Sequence, residues 1–447
     1  MTAQLPLEGI RVLDLGGVWA GTFSTLLLAD QGAEVLKQEN QFVWQPNTRA
    51  VPGPNISSQM TQAGPGWITG FPNSEPGPRP WNYHPMFVSL YRNKRSFTLD
   101  IRNEKGHEIL GELAKISDVV IENSAVGTME KLGVSYEWLK ELNPGIIFLR
   151  APGYGLTGDY VSARTMGSHL EGVIGHQLLR GYRNEGPDSN SAIFSADYIA
   201  GTQIAFAVMS AIWERKKTGK GQFIEMAQAE NAIAMFAQGY MQYAITGTEP
   251  DRVGNQSIYP QESPTGIYPC KPEGDGDPAQ GKDRWIAISI STDSEWKIFR
   301  TEMGNPEWAI SPQLEQWENR YSQHDELDKN IAEWTQKFTD YELFHKLQKA
   351  GVPAAPVLDA SRVPTDEHVQ ERALYSPQTL QDPIGEFPFP TPLFDFPAAN
   401  GGIRRPPVAM GQDNEYVYRE LLGINDEDWD LLEAEGHIAT RFNDSLM

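Results

Sequence analysis

One cysteine, Cys270, stands in a chain of 447 residues. A lone thiol excludes an intrachain disulfide and any multi-cysteine metal site. Positive charge is also scarce: 37 Lys and Arg face 59 Asp and Glu, a formal net charge of −22. That balance argues against nucleic acid, whose phosphates need a basic surface. An anionic ligand would therefore need a local basic patch. Arg92-Asn93-Lys94-Arg95, with Arg102 following, is the candidate, although charges alone would make it a solvated turn. Long apolar runs are missing, so no membrane span is expected. The start, Met1 to Gly9, lacks the basic and apolar regions of a signal peptide, and a cytoplasmic location is expected by default. What remains is ordinary for a globular protein: 40% hydrophobic and 21% charged residues, enough chain for two or three domains.

The pattern along the chain alternates. Ile10 to Leu15 is a β-rich run ending at Gly16-Gly17. A helical stretch follows from about Gly21 to Gln31, and Gly32 to Glu39 reads as a second strand. Ser96–Ile101, Asp118–Glu122, Ile146–Arg150 and Phe223–Met226 read as further strands. Asn103–Ile116, Thr128–Leu132 and Tyr136–Asn143 read as helices between them, and Ala227–Thr246 as one long helix. Strands alternating with helices predict a parallel, Rossmann-like α/β sheet covered on both faces. Residues 41–85 interrupt it. They are rich in Pro, Gly, Asn and Ser yet carry Trp44, Trp67, Phe71, Trp81 and Tyr83, too many rings for a flexible linker. An ordered excursion over a pocket, or an interface arm, is expected. Gly274 to Lys282 reads as a hairpin-type loop. The alternation of Ile286, Ile288 and Ile290 with Trp285, Ala287 and Ser289 marks a strand of a smaller α+β module. The expected divisions are 1–216 large domain, 217–250 linker helix, 251–330 small domain, and 331–447 a return to the large domain led by Pro353–Val357.

Asp197 is the only charged side chain between Asp188 and Glu214. The residues after it, Ile199 to Ile212, are nearly all apolar or small and read as a buried helix. A carboxylate there can cap the helix, the commoner use. It can also be a desolvated nucleophile that forms an acyl intermediate.

Several segments together resemble the class III CoA-transferases, the family of formyl-CoA transferase and carnitine CoA-transferase. They are Leu7 to Leu15, Gln31 to Lys37, Asn93-Lys94-Arg95-Ser96 with Leu99-Asp100, Asp118 to Asn123, Leu132-Gly133, Asn143-Pro144, Lys217 to Gln222 and Gly351 to Val357. Their shared order carries the resemblance, which runs nearly end to end outside 41–85. It implies an interlocked, ring-shaped dimer, or a heteromer with a related subunit. It implies CoA thioester and carboxylic acid as substrates, with no tightly bound cofactor and no metal. Asp197, with Tyr198 and Gly201 around it, occupies the family's nucleophile position. By position Val18, Trp19 and Ala20 match the CoA-contacting turn after the first strand. Leu99, Asp100 and Arg102 match the part near the adenine, and Asn123, Ser124 and Ala125 the turn after a later strand. Lys131 stands where a phosphate-binding Arg often occurs, and keeps the charge without the bidentate fork. Asn40 stands where some relatives are basic. Gly254 and Gly266 fall in the family's mobile glycine loop, but here the glycines are sparse.

The expected activity is transfer of CoA from a donor such as succinyl-CoA to an organic acid, through an aspartyl anhydride and an aspartyl-CoA thioester. The rings of 41–85 suggest a bulky or aromatic acceptor, as in benzylsuccinate CoA-transferases. An acyl-CoA racemase of the same fold is the nearest alternative. Its His–Asp pair needs a base near Gly167-Ser168, where only His169 is close, and that out of step. A dinucleotide dehydrogenase is suggested by Gly16-Gly17-x-x-x-Gly21 with Glu39, but the spacing is not G-x-G-x-x-G. A non-catalytic subunit of a heteromeric transferase is the third alternative, against which Asp197 argues.

Overall fold

In the computed structural model, residues 4–44, 49, 53, 55–63, 70–189, 194–273, 283–380, 385–399 and 401–446 are described. Six short strands form one sheet: β1 (Arg11–Asp14), β2 (Glu34–Glu39), β3 (Arg95–Thr98), β4 (Val119–Glu122), β5 (Ile147–Arg150) and β6 (Phe223–Glu225). Their order is β3-β2-β1-β4-β5-β6, and every pair is parallel. Helices supply the crossovers that parallel pairing demands. Those used below are α1 (Trp19–Asp30), α2 (Glu104–Lys115), α3 (Tyr136–Leu142), α4 (Gly167–Val173) and α5 (Ser195–Thr218). The starts of α2 and α3 are set by Asn103 and Ser135, whose side chains accept from Gly106 N–H and Trp138 N–H.

Strands covered on both faces have no polar side, and all four residues of β4 and of β5 are buried. On one face, Leu27 and Leu28 of α1 and Ile204, Val208 and Ile212 of α5 pack on Val12, Val35, Val119, Ile121, Ile147 and Leu149. On the other, Ile109, Leu110 and Leu113 of α2, Leu139 of α3, and Val417, Tyr418 and Leu432 cover Leu13, Leu36, Phe97, Val120 and Phe148. Each large apolar side chain buried this way contributes roughly 1.5–3 kcal/mol. The strand order reverses between β1 and β4. The region beyond the carboxyl ends of those strands is the usual ligand position in such sheets.

The chain divides into two compact units. The first holds residues 1–176, 192–241 and 373–447, the second 177–191 and 242–372. The second contains an antiparallel sheet of β7 (Thr265–Cys270), β8 (Arg284–Ser289) and β9 (Ala354–Val357). Pro353–Val357 therefore does not lead back to the large unit. It supplies the third strand of the small sheet, because Ala354 packs with Ile286, Ile288 and Leu347. Cys270 is buried here, and its thiol is pushed up to about 12 by burial and then by Asp340. The hairpin expected over 274–282 lies outside the described residues.

Other expectations need revision. The helix expected over 227–246 stays helical but tightens midway, as Gln228–Ile233, one 3-10 turn at Ala234–Phe236, and Ala237–Thr246. Helix α5 is buried on one side only: Phe206 and Trp213 on its other side are 73% and 65% exposed. The described rings Phe71, Trp81 and Tyr83 face inward. Phe71 and Tyr83 join a cluster with Leu380, Phe389 and Val408, and Trp81 packs with Met410 and Phe442. Trp67 lies outside the described residues. The carboxyl-terminal stretch also closes the edge of the sheet. Asp413 accepts from Ser96 N–H at 3.1 Å, and Asn414 from Thr98 N–H at 2.8 Å. Those edge groups of β3 would otherwise invite pairing with another chain. No helix among the described residues is long and apolar enough to cross a membrane.

Candidate active site

The loop after β1 and the loop after β4 are tied at the reversal point. Asn123 Oδ1 accepts from Gly17 N–H at 3.1 Å, and Asn123 Nδ2 donates to the Val18 carbonyl at 2.7 Å. Gly21 is required above it, since a Cβ there would lie 2.7 Å from Asn123 Oδ1. Beneath, the fully buried Asp14 accepts from Thr25 at 2.5 Å and pairs with Lys37 at 3.3 Å and Lys94 at 3.5 Å. Burial acts to raise the Asp14 carboxyl, but the two lysines and the Thr25 and Gly16 hydrogen bonds outweigh it and hold it below the usual range. Burial lowers Lys94 to about 8. These contacts set the direction in which α1 leaves the sheet.

Helix α5 crosses α1 closely at Gly201, where a Cβ would lie 2.8 Å from the Ala20 carbonyl oxygen. That approach brings Asp197 to the amino end of α1, and its carboxylate accepts a hydrogen bond from the Ala20 backbone. Asp197 is not the cap of its own helix. Phe194 holds that place with φ +51°, and Asp197 is the third helical residue. Asp197 as a whole is 6% exposed. Burial, then the charge of Glu171, push it up to about 6, against the pull of the backbone hydrogen bonds. Glu171, on α4, is itself buried and accepts from Ser195 N–H and Oγ, both at 2.7 Å.

Gly167 opens α4 against this carboxylate. A Cβ there would lie 2.1 Å from Asp197 Oδ2. His169 is turned away, with its Nδ1 accepting from Met166 N–H at 3.1 Å. Trp19 stacks on Phe194 with ring centres 5.3 Å apart and donates from Nε1 to Tyr198 O–H at 3.0 Å. It fixes the start of α5 through that contact.

A cavity of about 630 Å³ opens on Asp197 and is lined also by Val18, Asn123, Ser124, Ala125, Tyr154, Arg164, Gly167 and Gln228. The structure thus brings together Asp197, Val18, Asn123, Ser124 and Ala125. Ala20 stands behind the carboxylate as a donor. Other expected residues lie elsewhere. Leu99 is fully buried, with its N–H donated to Glu39 and its carbonyl taken by Gln38. Asp100 and Arg102 close on each other at 2.7 Å, and Asn40 donates to Asp100 at 2.9 Å. Lys131 is exposed at the end of a short helix. None of these five lines the cavity.

The Arg92–Arg95 cluster is neither an open basic patch nor a solvated turn. Arg92 pairs with Asp30 at 2.6 Å, Lys94 serves Asp14, and Arg95 pairs with Asp413 at 2.9 Å. Glu39, the acid a dinucleotide site would need for a ribose, is engaged by Arg49 and Ser96. Sequence reasoning passed over Glu171 and Arg164. Glu171 lies 26 positions before Asp197 and leaves no motif. Arg164 is a single base in a Gly- and Thr-rich stretch, a weak signal.

A carboxylate half-neutralised near pH 6, held by backbone donors and sheltered from water, is suited to nucleophilic acyl chemistry. The sequence matches the profile of CoA-transferase family III over residues 7–414. It is 31% identical to succinyl-CoA–D-citramalate CoA-transferase of Chloroflexus aurantiacus, covering 96% of this chain and 97% of that one. It is 30% identical to the beta subunit of succinyl-CoA–L-malate CoA-transferase of the same organism, over 95% and 96%. A CAIB/BAIF family protein from Brucella suis shares the fold, with a TM-score of 0.75 and 26% identity over 94% of this chain and all of that one. The chain belongs to CoA-transferase family III.

Proposed function

We propose that this enzyme moves CoA from succinyl-CoA to a second short carboxylic acid, with Asp197 as the nucleophile. The single observation that carries the reading is a buried Asp197 carboxylate that opens on the cavity lined by Asn123 and Ser124. In the first step the ionised carboxylate attacks the thioester carbonyl, and CoA leaves as the thiolate. The mixed anhydride is then attacked at its aspartyl carbonyl by that thiolate, giving an aspartyl-CoA thioester and free succinate. The acceptor carboxylate attacks this thioester and expels the thiolate, which takes the new acyl group and frees Asp197. A carboxyl at about 6 is ionised at neutral pH, yet more basic than an exposed one and so a better nucleophile. The Ala20 N–H and the amino end of α1 favour the negative charge that develops at the aspartyl oxygens. Burial keeps water from the anhydride and thioester.

The relatives named above act on succinyl-CoA with citramalate or malate, which favours a short dicarboxylic acceptor. An aromatic acceptor loses its support, because Phe71, Trp81 and Tyr83 are spent on the protein's own core, and of the described rings of 41–85 only Trp44 lines the cavity. Gly167 stands where a racemase would need its base. The exposed Phe206, Met209 and Trp213 on one side of α5 support an assembled form, a dimer or a heteromer with a related subunit. Incubation with succinyl-CoA followed by peptide mass analysis tests the covalent step. Asp197 is expected to carry the CoA adduct, sensitive to hydroxylamine, and Asp197→Ala to lose both adduct and exchange. Undiminished exchange in Asp197→Ala would sink the reading.

A further inference from the structure

The cavity around Asp197 has an unusual charge inventory. Of its described lining residues only two are charged, Asp197 and Arg164. In a protein of net charge −22, an anionic acid brought beside a carboxylate meets repulsion unless a cation is at hand. Arg164 is solvent-exposed, and no ion pair or hydrogen bond with another described residue engages it. Most other arginines named above are already committed: Arg92, Arg95, Arg102 and Arg150 each close on a carboxylate. Arg164 is the lining residue that keeps its fork of donors for a ligand.

We infer that Arg164 holds the remote carboxylate of a short dicarboxylic acyl group, and so selects dicarboxylic over monocarboxylic substrates. The inference rests on the CoA-transfer reading of this site. One chemical feature separates this role from binding of the reacting carboxylate. A guanidinium clamped on the reacting carboxylate would occupy the lone pairs that must attack. Arg164 and Asp197 line the same cavity. A planar guanidinium matches a carboxylate with two parallel hydrogen bonds, which a lysine cannot reproduce.

Succinyl-CoA and butyryl-CoA carry the same CoA and nearly the same acyl length, and differ in the terminal carboxylate. Single-turnover release of free acid from each by the full-length enzyme, with CoA passing to Asp197 and the rate read as a second-order constant, isolates that group. The wild type is expected to prefer succinyl-CoA. Arg164→Gln is expected to lower the succinyl-to-butyryl ratio by roughly 30-fold, the worth of a charge-assisted pair, and Arg164→Lys to restore part of it. A folding defect, or loss of a CoA phosphate contact, lowers both thioesters and leaves the ratio unchanged, and an unchanged ratio overturns the inference while the CoA-transfer reading stands. Wild-type enzyme inert towards both thioesters overturns that reading and this inference together.

Discussion

Asp197 is a side chain whose usefulness and cost have one origin. Burial and Glu171 hold its carboxyl at about 6 rather than the usual 3.8. In the proposed reaction the ionised form attacks, so kcat/KM should rise with pH through about 6 and level off above it. Glu171→Gln keeps an acceptor for Ser195 but removes the neighbouring charge, and should move that acidic limb to lower pH. A pH–rate profile of both proteins checks this; an unmoved limb would remove Glu171 as a cause. The folded carboxyl titrates above the unfolded one. Its contribution to stability is therefore fully present below about pH 3.8 and is lost as pH rises through about 6. At neutral pH the buried charge costs up to roughly 3 kcal/mol. Asp197→Asn keeps the shape and the acceptor for Ala20. It should be inactive yet more stable than the wild type at pH 7.5, with the gain vanishing near pH 4, as denaturant melts at the two pH values would show.

Three element ends meet at the site: α1 begins at Trp19, α4 at Gly167 and α5 at Ser195. Glycine at the contacts is what lets them meet. Gly167 has an ordinary φ, so its need is space and not backbone freedom. A methyl group there would press on the far end of the Asp197 side chain, a group that can rotate away. Gly167→Ala should thus cost less than about 1.5 kcal/mol of stability while pulling the carboxylate off the Ala20 N–H. Activity should fall by roughly 100-fold, the scale of a lost preorganised donor. A melt beside a kinetic assay separates the two effects, and a parallel loss of fold would refute this picture. Gly201 is different. There the obstacle is backbone, the Ala20 carbonyl oxygen, so the helices themselves would have to part.

At the scale of the molecule, the last 75 residues of unit 1 seal what the first strands leave open. Asp413 alone engages Arg95, Ser96 and Arg405, across more than 300 positions of sequence in two of the three cases. One helix face is left open to solvent among the described residues of α5. Phe206, Met209 and Trp213 form an exposed stripe on α5, spaced by three and four residues. If that stripe is covered in an assembly, Trp213→Glu should shift the protein to a smaller species in sedimentation velocity while its far-ultraviolet dichroism is kept. A wild type that sediments as a monomer would remove the basis for an assembled form.

Much of the fold was legible because it is written locally. The Ile10–Leu15 run, the Gly32–Glu39 run and the buried β4 and β5 segments each announce a strand by composition, and their alternation with helices fixes parallel pairing. Asp197 was legible as a lone charge before an apolar stretch. Its partners were not. Glu171, Gly167 and the Ala20 N–H are 26, 30 and 177 positions away, and neither a glycine nor a backbone N–H carries a chemical signature in one sequence. The Arg92–Arg95 cluster was misread for the same reason: a cation looks alike in sequence whether it meets water or a buried Asp14. The sequence by itself determined the strand–helix alternation and the family, and singled out Asp197 as the candidate carboxylate, since periodicity and residue type are local properties. Only the tertiary structure decided which charges are neutralised and which groups surround the carboxylate. Burial and electrostatic pairing depend on distances that the fold creates between residues remote along the chain.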